Sequence, residues 1–142
     1  MGVIASAAII DAPVSDVWDV VSDLDAEPRF WKGTKSVRNI SSSGNRIRRE
    51  IVIAFRNKKC IQEIVLDPPR SIRAEFVDGI IKGTKSISLD PVPEGCKIIV
   101  IWDIRLGGMA GMFSGMVKGH IKKGTKQALD SIKEEVESRR SQ

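Results

Sequence analysis

The sequence has no tyrosine and only one histidine, His120, so two of the side chains that often move protons in enzymes are absent or nearly so. One histidine without a carboxylate at a matching spacing does not make a metal site. The two cysteines, Cys60 and Cys96, lie far apart and are interpreted as reduced, buried thiols. There is no Gly-x-Ser-x-Gly elbow and no phosphate-binding loop. We therefore predict no metal and no cofactor, and we identify no catalytic residue.

Long hydrophobic runs are also missing, since no segment approaches the roughly 18 apolar residues that span a membrane. The first residues lack the charged flank and long apolar core of a signal peptide, which predicts a cytoplasmic protein. The net charge is +5, but acidic residues are interleaved with the lysines and no aromatic residues alternate with a basic run. This pattern argues against a nucleic-acid partner. The 142 residues are predicted to form one domain, 1–142, with a frayed tail over residues 138–142.

The chain begins with a predicted strand over residues 3–10, followed by helices. Pro13 suits the first turn of a helix, and apolar residues then recur at helical spacing as far as Leu24. We predict a first helix over residues 13–23 and a second helical turn over residues 26–31.

The middle of the chain changes to the alternating pattern of strands, separated by turns rich in Gly, Pro, Asp and Ser. The connections are too short for parallel crossovers, so the strands are predicted to form an antiparallel meander. With helices gathered on one side, the fold class is α+β. The predicted strands cover residues 36–40, 46–55, 60–66, 72–77, 82–89 and 96–106.

The last third of the chain, residues 107–142, reads as one long amphipathic helix with two unlike halves. Residues 107–120 are rich in methionine and glycine, whereas residues 121–140 have an ordinary helical composition. Methionine adapts to irregular shapes, so the inward face of the first half is interpreted either as ordinary core or as the wall of a cavity. The glycines, four residues apart, indicate either close backbone packing or a pliable segment. The inward face comprises Met109, Met112, Phe113, Met116 and His120.

Three further residues stand out within the predicted sheet and its helices. Alternation places Arg49 on the apolar face of its strand, where a buried cation needs a partner such as Glu63 or an anionic group of a ligand. Trp102 shares a face with apolar residues of the last strand and is expected to face the core or a cavity. His120 is expected either to contact the polar end of a ligand or to be satisfied by a neighbouring side chain.

Several phrases of the sequence resemble the START-related helix-grip superfamily, in its polyketide cyclase/dehydrase and lipid-transport (SRPBCC) branch. The resemblance implies a curved seven-stranded antiparallel sheet wrapped around a long C-terminal helix, with two short helices between strands 1 and 2. It also implies a cavity between the sheet and that helix, with Trp31 near its mouth. The phrases are residues 10–23 (Ile-Asp-Ala-Pro-Val-Ser-Asp-Val-Trp-Asp-Val-Val-Ser-Asp), Phe30-Trp31, residues 67–70 (Asp-Pro-Pro-Arg), residues 83–89 and residues 95–98.

The resemblance favours binding, transport or sensing of an apolar or amphipathic small molecule, such as a lipid, a quinone or a polyketide-like compound. Two alternatives stay open. One is a cyclase or dehydratase with His120 and Arg49 as its polar centre. The other is a chaperone- or ribosome-associated module that docks through the glycine-rich start of the helix or an exposed sheet edge, and a large exposed apolar patch over residues 109–116 would favour it. The enzyme is the less favoured reading, because no catalytic pattern stands out. The residues expected to line the cavity are Trp31, Arg49, Phe76, Trp102, Met109, Met112, Phe113, Met116 and His120.

Overall fold

The computed structural model describes residues 2–107 and 114–141. They form a curved seven-stranded antiparallel sheet, two short helices between the first two strands, and a long C-terminal helix, as the resemblance implied. The elements are β1 Gly2–Ile10, α1 Val14–Val21, a 3-10 turn Leu24–Ala26, α2 Glu27–Phe30, β2 Thr34–Ser43, β3 Arg46–Ile53, a 3-10 turn Phe55–Asn57, β4 Lys59–Asp67, β5 Ser71–Asp78, β6 Ile81–Val92, β7 Gly95–Leu106 and α3 Ser114–Arg140.

The strand order in the sheet is β1-β7-β6-β5-β4-β3-β2. Strands β2 to β7 form a meander in which each strand pairs with the next, and β1 then pairs with β7 along its whole length. At the β6–β7 turn, the backbone of Gly95 lies very close to the backbone at the end of β1. Gly95 has a φ of 137°, and a Cβ there would lie 2.3 Å from the Ile10 carbonyl oxygen, so the turn requires glycine.

The helices cover one face of the sheet, and the C-terminal half of α3 packs directly upon it. Alternation turns every second side chain of β7 toward the helices, and Ile98 and Val100 are among those that are buried. The helical spacing of α3 brings Ala128, Ile132 and Val136 onto the same core. A second cluster of buried residues lies toward the other end of the sheet, around Ile51, Ile53, Cys60, Phe76, Ile81 and Ile104. Members of this second cluster border a space where the sheet and the N-terminal half of α3 separate.

The elements match the predicted order, with two differences at the C-terminal helix. Residues 108–113, including Gly111, lie outside the described ranges. Gly107, predicted to begin the helix, instead lies just after the end of β7, and its N–H donates to the Ile80 carbonyl at 2.8 Å. The tail predicted to fray from Ser138 is instead helical through Arg140, whose guanidinium donates to the Asp11 carbonyl at 2.9 Å. Within the described residues no helix is long and apolar enough to cross a membrane.

Candidate functional site

A cavity of about 480 Å³ lies where the sheet and the N-terminal half of α3 separate. Its volume falls within the range of roughly 300–1,000 Å³ that is typical of small-molecule sites. The sheet contributes mostly apolar side chains from β3, β5, β6 and β7, and α3 closes the opposite side. The residues that line this main cavity include Glu27, Trp31, Lys32, Thr34, Ile51, Gln62, Phe76, Lys85, Trp102, Val117, His120, Ile121, Lys123, Gly124 and Thr125.

Three aromatic rings form one wall of the main cavity. Trp31 and Trp102 meet edge to face with centroids 6.1 Å apart, and Phe76 stacks on Trp102 at 6.2 Å. The Trp102 ring is fixed by the helix, since its indole N–H donates to the hydroxyl of buried Thr125 at 3.0 Å. That hydroxyl donates in turn to the Ile121 carbonyl at 2.7 Å. The wall is thus rigid and apolar, and its polar atoms are already satisfied.

Lys85 is the one buried lysine among the described residues, and it points from β6 into this wall. Its side chain is 6% exposed, and its ammonium lies 3.2 Å from the centre of the Trp31 ring and 4.8 Å from that of Trp102. Within residues 2–107 and 114–141 no carboxylate approaches this ammonium to 4.0 Å. Burial lowers the pKa of Lys85 to about 8, with the Glu27 carboxylate opposing the change and Arg49 adding to it.

Next to Lys85, a second buried cation is fully engaged. Arg49 is 1% exposed; its guanidinium donates to Glu27 at 2.5 Å, to the Gln62 side-chain carbonyl at 2.8 Å and to the Leu24 carbonyl at 3.3 Å. The Thr34 hydroxyl donates to the second oxygen of Glu27 at 2.8 Å. Burial would raise the pKa of Glu27, but the charges of Lys85 and Arg49 together with these hydrogen bonds hold it below its usual value.

The group Glu27, Arg49, Gln62 and Lys85, here called the polar cluster, separates the main cavity from a second, much smaller one of about 30 Å³. Glu27, Gln62 and Lys85 border both spaces, whereas Arg49 borders the small one only. Two cations therefore share one carboxylate inside the protein. The cluster keeps a formal charge of +1 while Lys85 is protonated.

The partner suggested for Arg49 from the sequence, Glu63, is wrong. Arg49 lies opposite Gln62 in the β3–β4 register, and the next residue, Glu63, points to the outer face of the sheet. There it pairs with Arg48 at 2.5 Å, with both side chains about half exposed. The true partner, Glu27, comes from the short helix α2. Because Glu27 is a single residue in a short helix, no periodic pattern in the sequence marks it as a buried partner.

The other predicted site residues divide into three groups. Trp31, Phe76, Trp102 and His120 border the main cavity, although His120 itself is exposed at the rim. Met109, Met112 and Phe113 lie outside the described residues. Met116 does not border the cavity.

The inward placement expected for Met116 needs correction, because its side chain is 58% exposed. The inward positions of α3 follow the spacing Val117, Ile121, Gly124 and Ala128, on which Met116 falls one residue out of phase. The neighbouring glycines Gly115 and Gly119 are not close-packing sites, since a Cβ at either would meet nothing within 4 Å.

Lys85 is the functional candidate that the sequence prediction missed, although a signal was present. Within the strand it shares its parity with Ile81, Ile87 and Leu89, all of them buried. A lysine in phase with an apolar face is as unusual as the arginine at position 49. The same alternation argument would have found both.

A family model described as polyketide cyclase / dehydrase and lipid transport matches residues 1–137. The chain belongs to this family. No curated protein matches the sequence. Family membership agrees with the helix-grip architecture described above, and it covers both binding proteins and enzymes without choosing between them.

Solved structures with the same architecture support the fold. The protein TTHA0849 from Thermus thermophilus has a TM-score of 0.82 at 19% identity, over 96% of this chain and 98% of that one. The Zhui aromatase/cyclase of a Streptomyces species has a TM-score of 0.82 at 15% identity, over 96% and 94%. A START superfamily protein from Mycobacterium smegmatis has a TM-score of 0.67 at 16% identity, over 93% and 99%. At these identities the similarity shows the fold alone.

Proposed function

We propose that the protein binds an apolar or amphipathic small molecule in the main cavity, as a carrier or a sensor. The observation that carries this proposal is the cavity itself, a space of about 480 Å³ walled by Trp31, Phe76 and Trp102. A dry interior at normal packing density holds few voids larger than a water molecule. A protein that leaves this much apolar surface unpacked gives up burial energy, which a bound ligand would restore.

The geometry favours binding over the cyclase or dehydratase alternative. That alternative needs His120 and Arg49 within reach of one ligand atom. His120 stands exposed at the rim of the main cavity, whereas Arg49 borders only the small cavity and already donates to three partners. The interaction-module alternative, through an exposed sheet edge or through residues 109–116, most of which are outside the described ranges, stays a prediction. The cytoplasmic location and the absence of a nucleic-acid partner also stay predictions.

Replacing Gly124 by leucine should obstruct the main cavity without harming the fold. Gly124 borders the cavity, and a Cβ there would meet nothing within 4 Å, so the new side chain has free space to occupy. Leucine also has a helix propensity better than that of glycine by about 0.8 kcal/mol. We expect native mass spectrometry of freshly purified wild-type protein to show a bound small molecule that organic solvent extracts, and G124L to have lost it.

The matched control is Gly119→Leu, five residues earlier on the same helix. Gly119 is exposed and does not border the cavity, and a Cβ there also meets nothing within 4 Å. Both variants gain the same helix propensity, so they should melt at the same temperature or higher than the wild type. G119L should keep the bound compound. Equal ligand occupancy in G124L and G119L would contradict the proposed site.

A further inference from the structure

The ammonium of Lys85 is a buried charge that feels the Glu27 carboxylate at a distance, but no described carboxylate lies within 4.0 Å of it to form a direct ion pair. It rests on the faces of Trp31 and Trp102, which attract a cation but do not neutralise it. The nearest carboxylate, that of Glu27, accepts hydrogen bonds from Arg49 and Thr34 instead. A buried ion is costly unless it is paired, so this arrangement provides a place for an anion supplied from outside.

The charged groups around the main cavity also favour a ligand with a negative charge. Those that border it are Lys32 from the segment after α2, Lys85 from β6 and Lys123 from α3, against the single carboxylate of Glu27, and the imidazole of His120 borders it as well. Arg49 adds a further positive charge behind Glu27. No element that borders the cavity in the described ranges brings a second acidic side chain to it. The walls of the cavity are therefore mostly apolar, and the charges around it give it a positive electrostatic potential.

We propose that the ligand is an amphipathic acid, whose carboxylate pairs with the Lys85 ammonium at the inner end of the main cavity. Its apolar body would lie along Trp102 and Phe76, toward Ile121 on the helix. This inference rests on the proposed function and narrows its ligand class, since neutral lipids and quinones would leave Lys85 unpaired. A charge-assisted hydrogen bond to a desolvated ammonium is among the stronger single contacts available to a ligand.

The test compares decanoate with its methyl ester, a pair that differs in charge but shares its chain, by isothermal titration calorimetry at pH 7. Wild-type protein should bind decanoate about 10- to 100-fold more tightly than methyl decanoate, the range expected for a hydrogen bond to a charged group. Lys85→Met should reduce this ratio to about 1 while binding the ester as tightly as the wild type does. Lys123→Met, which removes a cation at the rim, should leave most of the ratio in place.

The outcomes separate this inference from the proposed function. Equal affinities for acid and ester in the wild type, or an undiminished ratio of affinities in K85M, would overturn the role of Lys85. Either result would leave the proposed binding of a small molecule in the main cavity intact. A ratio lost in K123M but kept in K85M would also overturn it, and would move the anion to the rim. If the wild type and K85M bind neither compound, the proposed function fails together with the inference. Retained ester binding by K85M shows that the variant is folded around an intact cavity.

Discussion

Replacing Glu27 by glutamine is expected to lower the free energy of unfolding by about 3 kcal/mol or more, the usual cost of breaking a buried ion pair from one side. Glutamine keeps the shape of the side chain but removes the only carboxylate of the polar cluster. Arg49, which is 1% exposed and cannot lose its proton, would then be a buried cation without an anion. Urea denaturation of wild type and E27Q measures the difference directly.

Glu63→Gln is the matched control for E27Q, because it makes the same chemical change on the exposed face of the sheet. The pair formed by Glu63 and Arg48 has a similar hydrogen-bond length to the buried pair, but both of its side chains are about half exposed. We expect E63Q to change the free energy of unfolding by less than about 1 kcal/mol. Similar losses for the two variants would show that the polar cluster is not buried as described.

The stability of the wild type relative to Lys85→Met is expected to rise with pH by about 3 kcal/mol between about pH 8 and pH 10.5. Burial brings the pKa of Lys85 from an ordinary 10.5 down to about 8 in the folded protein, against the opposing charge of Glu27. Between these values the unfolded chain holds the proton and the folded protein does not, so rising pH favours folding. Each unit between the two pKa values corresponds to about 1.4 kcal/mol.

Below about pH 8 the protonated Lys85 destabilises the wild type by this full amount, and above about pH 10.5 the penalty is gone. Groups that titrate in both proteins cancel in the difference between wild type and K85M. Lys82→Met provides the control on the same strand, because its ammonium reaches the surface and donates to the Val77 carbonyl. The curves of wild type and K82M should run parallel, and a parallel course for K85M as well would refute the burial of Lys85.

The two predictions, for Glu27 and for Lys85, concern the same feature of the protein. The buried charge of Lys85 lowers the stability of the fold and lies beside the main cavity. A methionine at position 85 would continue the apolar face of β6 formed by Ile81 and Ile87 without a desolvation cost. Natural proteins commonly give up stability at the sites where they bind or react. Because the destabilising ammonium of Lys85 lies at the inner end of an apolar cavity, we connect its burial to ligand binding.

The fold could be predicted from the sequence because its signals are local and repeated. Alternation along residues 46–55 and 96–106, the proline at position 13 and the short turns between strands each specify their own segment. These signals agree with one another, and their order is that of the helix-grip family. The contact of the helical C-terminal tail with the start of the chain, where Arg140 donates to the Asp11 carbonyl, could not be predicted, because no local pattern encodes a contact between residues so far apart in sequence.

The site could be predicted only in part, for two physical reasons. Two-residue periodicity fixes the face of a strand to which a side chain points, so the inward orientation of Trp102 and Arg49 could be predicted, although Arg49 borders the small cavity and not the main one. The helical face was less certain, since an error of one residue turns a side chain by about 100°, and this was enough to misplace Met116. Glu27 was missed because its role depends on the three-dimensional meeting of α2 with β3, which no local pattern encodes.

The central claim is that the space between the sheet and the N-terminal half of α3 is a binding site for an amphipathic acid. A crystal structure of the protein with decanoate tests it most directly. We predict electron density for the chain against Trp102 and Phe76, with its carboxylate within hydrogen-bonding distance of the Lys85 nitrogen. A cavity filled by the protein's own side chains, or decanoate bound only on the outer surface of the sheet, would contradict the account.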